Sequence, residues 1–522
     1  MYLILYLSIP VEKDGELAYI ETAAKKLSVE KERVKVFKIL SKALNQKDKE
    51  QFYYELSVVV AVAHPFENKN KLPEYIENKP VKRTVKISKE RPIIIGFGPA
   101  GMFAALELIE YGHKPVIFER GRKIEERSAD IDRFIKEKVL DPESNIQFGE
   151  GGAGSYSDGK LFSRTKNSVY INKVIDTFIK FGAPDEIRYL DRPHLGTDVL
   201  CKIVRNVRIY IEEQGGEIHF DSKMTDILVA DGEISGVKIN GKKEYLSKSV
   251  YLALGHSARD TFTLLHEKNV ALEQKPISVG IRVEHPVEVI NKMKYGEKYK
   301  NFAGLGAASY SFNYSNEKTK RRLNTFCMCP GGEVVNASSE EGLLVINGMS
   351  YSKRASAYSN TAFIITCHTS DYPSSSPLAG MEFQREIEKK AFDAGGGSFE
   401  VPAQNLMDFL AGQRSAVLNK NSCKIGTKAV SLREIFPEFI GDTLLAGFKQ
   451  WEKDYPLFVS KYGILMAPET RTACAVRIKR GEGFESANIK GLYPIGEGAG
   501  YTGGITSSAA DAIKAVEILV QR

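Results

Sequence analysis

Cysteine is scarce in this chain: six in 522 residues, at Cys201, Cys327, Cys329, Cys367, Cys423 and Cys474, with no C-x-x-C pair among them. That excludes a disulfide framework, a dithiol redox pair and cysteine-based metal spacing, so no metal is expected and a reducing, cytoplasmic setting is the simplest reading. No apolar run reaches about 18 residues, so neither a membrane-spanning helix nor a membrane partner is expected. The start, MYLILYLSIPVEKDGEL, is briefly apolar but lacks a basic n-region and a small-residue cleavage site, and is not read as a signal peptide. What is present is ordinary for a globular chain, 43% hydrophobic and 27% charged, enough to bury a large core and too apolar for disorder. At one domain per roughly 150 residues, the length suggests three or four structural units.

The formal charge of +7 is uneven: residues 1–91 hold 18 Lys/Arg against 13 Asp/Glu. So mild an excess is weak evidence for nucleic acid. Residues 2–9 read as a strand. Residues 17–27 place Leu17, Ile20, Ala24 and Leu27 on one helical face, and VKVFKILSKAL and QFYYELSVVVAV read as two more strands. The polar, Pro-punctuated stretch from Asn68 to Arg91 reads as a linker. From Pro92 the pattern alternates strands and helices, with 92–120 and 217–256 expected as parallel-sheet material. Residues 270–460 are mixed, and 490–522 return to strand, Gly-rich turn and helix.

RPIIIGFGPAGMFAALELIEYGHKPVIFERG is the most informative segment. An apolar strand leads into Gly96, Gly98 and Gly101 as G-x-G-x-x-G, with Pro99 and Ala100 inside the motif. A helix then ends at Gly112, and a second strand ends at Glu119, 18 residues after Gly101. Gly96 allows the tight turn, Gly98 lets a diphosphate approach the backbone, and Gly101 lets helix and strand pack closely. The diphosphate sits at a helix N-terminus, where free N–H groups and the dipole favour negative charge. Glu119 is placed to accept hydrogen bonds from a ribose diol. The alternative is a Gly-rich loop that merely turns.

The C-terminal run GLYPIGEGAGYTGGITSSAADAIKAVEIL crowds Gly503, Gly504, Thr506, Ser507 and Ser508 at a helix start. Such a helix, aimed at the N1/C2=O edge of a flavin, stabilises the charge that develops there on reduction by about 0.3–1 kcal/mol. No second G-x-G-x-x-G appears, so a dedicated NAD(P)H domain is not expected, although NAD(P)H remains possible as a transient reductant.

With NIQFGEGGAGSYSDGKL (145–161), GEGAGYTGGITSSAADAIKA (496–515), PHLGTDVL (193–200), VGIRVEHP (279–286), TFCMCPGGEVVNASSEEG (325–342), NGMS (347–350) and APETRTACAVRI (467–478), the chain resembles a family of bacterial FAD-dependent dehydrogenases. The family is NAD(FAD)-utilising dehydrogenase-like and lies in the glutathione-reductase-like FAD superfamily. The resemblance implies an α/β fold with a Rossmann-like FAD-binding domain built from discontinuous segments. It also implies an inserted mixed-sheet substrate domain and a small N-terminal α/β module. The expected boundaries are 1–90 for the module and linker, 91–269 for the first part of the FAD domain, 270–464 for the substrate or lid domain and 465–522 for the last part of the FAD domain. It further implies that Gly96, Gly98 and Gly101 bind the diphosphate of a non-covalent FAD. Glu119 binds the adenosine ribose with Arg120 beside it, and Met224 and Gly255 lie at the nucleotide. Gly496 and Glu497 lie at the ribityl and diphosphate, and Gly504 and Ile505 at the isoalloxazine. Similar flavoproteins lay a Gly/Ser loop along the cofactor, which here is Gly151, Gly152, Ala153, Gly154 and Ser155, with Lys160 beyond. The alternative is a flexible surface loop. Where relatives often read ETRTSSPVRI, this chain has Ala473, Cys474 and Ala475, which alters any substrate contact those hydroxyls made.

No catalytic acid or base is assignable. His194 and His285 are candidates whose commoner alternative is a satisfied structural histidine. Arg471 and Arg477 are candidates for clamping an anionic substrate, with Glu469 orienting one of them, against the alternative of an interior ion-pair network. Cys327 and Cys329 lie near the flavin or are simply small buried hydrophobes. The leading expectation is an FAD-dependent oxidoreductase transferring hydride between a small metabolite and flavin N5. The alternatives are a flavoprotein acting on RNA or another macromolecular partner, and a non-catalytic flavin-binding protein.

Overall fold

The computed structural model describes residues 1–77, 91–161, 169–317 and 319–520. The N-terminal module is a three-stranded antiparallel sheet of Tyr2–Pro10, Tyr53–Val62 and Val34–Asn45, in that order. Alternation on Tyr2–Pro10 buries Leu3, Leu5, Leu7 and Ile9 under the helix Glu16–Leu27. The helix buries Tyr19, Ala23, Ala24 and Leu27: Ala24 and Leu27 of the expected set face the sheet, while Leu17 is 79% exposed and Tyr19 and Ala23 complete the buried face. The small Ala23 beside Ala24 lets the helix backbone close on the sheet, which turns the face away from Leu17. The expected linker begins as structure: Ile4 N–H donates to the Pro73 carbonyl (2.9 Å) and Tyr75 N–H to the Tyr2 carbonyl (3.0 Å), extending the free edge of the first strand. Its remainder, 78–90, lies outside the described residues. The positive excess lies in 78–91, because residues 1–77 carry twelve Lys/Arg and twelve Asp/Glu.

The module is anchored to the body. Lys42 pairs with the segment Tyr189–Asp191 (Lys42 N–H to the Tyr189 carbonyl, 2.8 Å; Asp191 N–H to the Lys42 carbonyl, 3.1 Å). Phe52 stacks on Tyr299 at 4.4 Å.

A five-stranded, all-parallel sheet forms the second unit, in the order Leu492–Pro494, Val250–Leu252, Ile93–Ile95, Val116–Phe118, Glu217–His219. Its three central strands are short and wholly buried, as a sheet covered on both faces requires. The helices Pro99–Glu110, Thr197–Glu213 and Ile505–Val520 share one core with it. The expectation of parallel material throughout 217–256 is corrected: between the two parallel strands stands an antiparallel meander of Met224–Ala230, Glu233–Ile239 and Lys243–Leu246. Its turns hold the left-handed pairs Asp231-Gly232 (φ 51° and 77°), which closes a two-residue hairpin, and Asn240-Gly241 (φ 51° and 67°), which with Lys242 makes a three-residue loop.

The third unit is a mixed seven-stranded sheet in the order Asn313–Ser315, Arg322–Cys329, Tyr358–Cys367, Ile277–Pro286, Ile464–Glu469, Val401–Asn405, Thr427–Ala429, antiparallel except for the last pair. Because Ile464–Glu469 sits inside this sheet, the chain returns to the parallel unit after Glu469 rather than at 465. An aromatic cluster of Phe312, Phe363, Phe448, Trp451 and Phe458 fills its core. Among the described residues no helix is long and apolar enough to cross a membrane.

Candidate functional site

The strand Ile93–Ile95 delivers the chain into Gly96 at φ +99°, and Gly98 caps the helix Pro99–Glu110 with Pro99 at its first position. A Cβ on Gly96 would stand 2.4 Å from the Ala253 carbonyl oxygen, and one on Gly101 1.9 Å from the Gly96 carbonyl oxygen. These two glycines are therefore required by the protein itself. Gly98 is different: its backbone is extended (φ −80°, ψ −170°), and a Cβ there would lie 3.6 Å from Gly152 Cα, an ordinary contact. Nothing in the protein requires glycine at 98.

Glycines from three distant stretches of sequence meet here. Gly152 approaches Gly98, Gly154 abuts Ile505 and Pro99, and Gly496 abuts Ala100, with virtual Cβ distances of 3.0, 3.0 and 2.5 Å. The Gly151 amide donates to the Phe97 carbonyl (2.9 Å), tying the loop to the motif. Ala153 opens the short turn Ala153–Tyr156. Glu119 is buried, and its carboxylate accepts from the amides of Phe97 (2.8 Å, Oε2), Gly121 and Gly149 (3.0 Å each, Oε1). Oε2, with one of these bonds, keeps capacity for a further donor such as a ribose hydroxyl. Arg120 is spoken for, with Nε on Glu143 (2.6 Å) and its fork on Asp260 (2.9 Å). These partners hold its charge against the cost of burial. Met224 is buried at the start of the meander. At the far end, Glu497 accepts from the Gly504 amide (3.3 Å) at the start of the helix Ile505–Val520.

A bound dinucleotide fits this arrangement on observations internal to the protein. Gly255, Gly503 and Gly504 have no atom within 4 Å of where a Cβ would point, leaving open space in front of their backbones. The hydroxyls of Ser155 and Thr506 are buried without a partner. Two helix N-termini add first-turn amides that the helices cannot use.

Lys160, read from sequence with the cofactor loop, points elsewhere. Its ammonium reaches the Met328 carbonyl and lies 3.4 Å from Asp158. It belongs to a charged group with Ser350, whose hydroxyl donates to Asp158 (2.6 Å), Arg354, whose Nη2 also bonds Asp158 (2.6 Å), and His194, which pairs with Lys160 across a β-bridge. Burial pushes the Asp158 carboxyl up, but Lys160, Arg354 and Ser350 outweigh it and hold the group below the usual carboxylate range. Burial and the Arg354 charge push the His194 imidazole down to about 4, and its Nδ1 is buried without a partner. It is therefore neutral at pH 7. Beside this group a cavity of about 320 Å³ is lined by Asp198, Gly331, Gly332, Ser350 and Lys353.

The other candidates lie in structural roles. His285 is fully buried, bonds the Phe458 carbonyl through Nε2 (2.7 Å) and packs on the Phe458 ring. Burial pushes its imidazole down to about 4. Arg471 belongs to the interior network that was the alternative reading. Arg471 and Arg259 both grip the fully buried Glu388 (2.8 Å each), and Glu340 joins them. Arg477 pairs with Glu273 (2.7 Å), and Glu469 bonds Arg282 (3.2 Å). Cys327 stands at an exposed β-bulge with φ +40°, while Cys329 is buried. The sequence reading missed Arg259, Glu340 and Glu388, whose partners are far apart in the chain. It also missed His256, which follows Gly255 and bonds Ser257 through Nδ1 (2.8 Å); its position after the parallel strand Val250–Leu252 was the available signal.

Comparison with known proteins adds the following. The family "FAD-dependent protein, C-terminal domain-like" matches residues 276–472. A Clostridium beijerinckii protein described as uncharacterised is 40% identical over 525 residues, covering 99% of this chain and 98% of that protein. Among solved structures, CtdE in complex with FAD is 13% identical, over 83% of this chain and 84% of that one, with a TM-score of 0.31. A geranylgeranyl bacteriochlorophyll reductase-like protein from Thermoplasma acidophilum is 12% identical, over 83% and 78%, with a TM-score of 0.37.

Proposed function

The chain belongs to one family with the Clostridium beijerinckii relative and carries a region matching the FAD-dependent protein, C-terminal domain-like family, and from that premise we propose that it is an FAD-dependent oxidoreductase transferring hydride between a small metabolite and flavin N5. The observation that carries this reading is the meeting of three glycine segments at two helix N-termini beside Glu119. Bound there, FAD supplies the two-electron chemistry, and the protein supplies position and electrostatics. The first-turn amides of Ala100 and Gly101 would hold the diphosphate, Glu119 the ribose diol and Glu497 the ribityl end, and Thr506 and the helix Ile505–Val520 would lie at the isoalloxazine. We place the motif order with the glutathione-reductase-like FAD superfamily.

The substrate half is the seven-stranded sheet with the group Asp158, Lys160, His194 and Arg354. In this reading His194 is a neutral, structural member of the group rather than the general base, because burial and the Arg354 charge push its imidazole down to about 4. The Lys160 ammonium holds an oxygen of the substrate, and Asp158 keeps Lys160 and Arg354 charged and oriented. The adjoining cavity of about 320 Å³ has the size of a small-metabolite pocket. NAD(P)H serves as a transient reductant. The test is direct: purified protein, reconstituted with FAD if colourless, is expected to show flavin absorbance, and a metabolite screen to bleach it. Protein that stays colourless after reconstitution refutes the reading.

A further inference from the structure

Arg127 stands on the helix Ile124–Glu137 and is completely buried. Buried arginines ordinarily meet carboxylates. This one meets backbone alone: Nε donates to the Asn145 carbonyl (2.8 Å), Nη2 to the Ile146 carbonyl (2.9 Å) and Nη1 to the Glu150 carbonyl (2.6 Å). Its flat face lies 4.8 Å from the centre of the Tyr156 ring. The charged groups around it are engaged elsewhere. Glu150 bonds Arg208 and the Ile124 amide, and Glu119 is held by its three amides. Among the described residues no ion pair includes Arg127. Burial without a bonded counter-charge pushes its guanidinium down from the ordinary arginine range.

The three carbonyls flank the start of the glycine loop. Gly149 is glycine because a Cβ there would stand 2.5 Å from Arg127 Cδ; the loop was built around this side chain. One residue past Glu150, the Gly151 amide is already tied to Phe97, and Gly152 is against Gly98.

We propose that Arg127 is the positioning residue of the cofactor loop: by gathering three carbonyls to one point it orients the loop against Gly98, and it lends the diphosphate a buried positive charge that no carboxylate has claimed. This rests on the FAD reading above and adds a residue to it. The physical basis is that charge-assisted bonds in a desolvated site are strong, and a planar fork makes several at once where an ammonium cannot.

The test uses Arg127→Lys and Arg127→Met in the full chain, with three readouts: FAD affinity by fluorescence titration, the ³¹P resonances of bound FAD, and the visible flavin spectrum. Both variants are expected to bind FAD roughly ten- to a hundredfold more weakly, with shifted ³¹P resonances and unmoved flavin bands, because the ring sits at the other end of the site. Unchanged affinity overturns the proposal. So does lost affinity with unchanged ³¹P resonances, and so does full recovery by Arg127→Lys, which would leave charge alone and no positioning. If Arg127→Met does not fold, Arg127→Lys decides on the same readouts. Failure of the wild-type chain to bind FAD refutes the proposed function instead, and is seen before any variant is made.

Discussion

Gly98 and Gly101 stand three residues apart in one motif, yet the structure gives them different work, and two alanine variants separate it. A Cβ at 101 would lie 1.9 Å from the Gly96 carbonyl oxygen, 3.0 Å from its carbon and 3.4 Å from Ile94 Cγ2. Reaching an ordinary contact requires the helix start to retreat from its strand by over an ångström, against main chain that cannot rotate away. Overpacking costs about 1–3 kcal/mol, and with backbone on the other side Gly101→Ala is expected near the top of that range in the apoprotein. At 98 the backbone is extended and the Cβ would sit 3.6 Å from its nearest neighbour. Gly98→Ala is therefore expected to leave apoprotein stability unchanged or raise it by about 0.4–1 kcal/mol, through the less flexible unfolded chain. In the proposed site the same methyl would crowd the approach of the diphosphate to the first helical turn. Losing one charge-assisted bond of about 1.5–3 kcal/mol weakens FAD binding roughly ten- to a hundredfold. Thermal unfolding of the apoproteins and FAD titration read the two effects independently. The reasoning is refuted if Gly98→Ala unfolds as early as Gly101→Ala, or if it binds FAD as the wild type does.

Three further outcomes follow from buried polar groups. Burial pushes the Glu284 carboxyl from 4.5 up to about 7, so its contribution is fully present below pH 4.5 and lost as pH rises through 7. Wild-type stability should fall by up to about 3 kcal/mol between pH 5 and 8 in denaturant titrations, and Glu284→Gln should flatten that slope. The Tyr310 hydroxyl is buried without a partner, so Tyr310→Phe is expected to be neutral or to stabilise by about 1 kcal/mol, measured by thermal unfolding. Glu388→Gln leaves Arg259 and Arg471 buried with Glu340 as their one remaining shared carboxylate and should cost about 3 kcal/mol; a loss under 1 kcal/mol would contradict the network.

The dinucleotide motif was legible because its logic is local: strand, turn, helix and acid lie within thirty residues, and their spacing carries the geometry. The module strands were legible for the same reason, and the meander would have been, had Asp231-Gly232 and Asn240-Gly241 been weighed as hairpin turns. What local pattern could not supply was the partner of each charge. Arg471 looked like a substrate clamp beside Glu469, but Glu388 lies 83 residues away in sequence and takes it. Lys160 looked like part of the cofactor loop, yet its ammonium is drawn to Asp158 and a carbonyl of another sheet. The glycines from 149 to 154 read alike in sequence, whereas in space one clears a path for Arg127, one for Gly98 and one for Ile505. Their differences reside in neighbours that only folding brings.

The parallel sheet places Ile93–Ile95 at its centre and Leu492–Pro494 at its edge, with the whole seven-stranded sheet made between them in the order of synthesis. On the ribosome, therefore, the first half of the nucleotide cradle waits, with Gly98 exposed and one edge open, while an independent sheet is completed. Only afterwards do Gly496, Gly504 and the helix Ile505–Val520 arrive to close it. If FAD is held as proposed, its capture waits for that last segment, and a nascent chain stalled before Leu492 is expected to carry a complete glycine motif and hold no flavin.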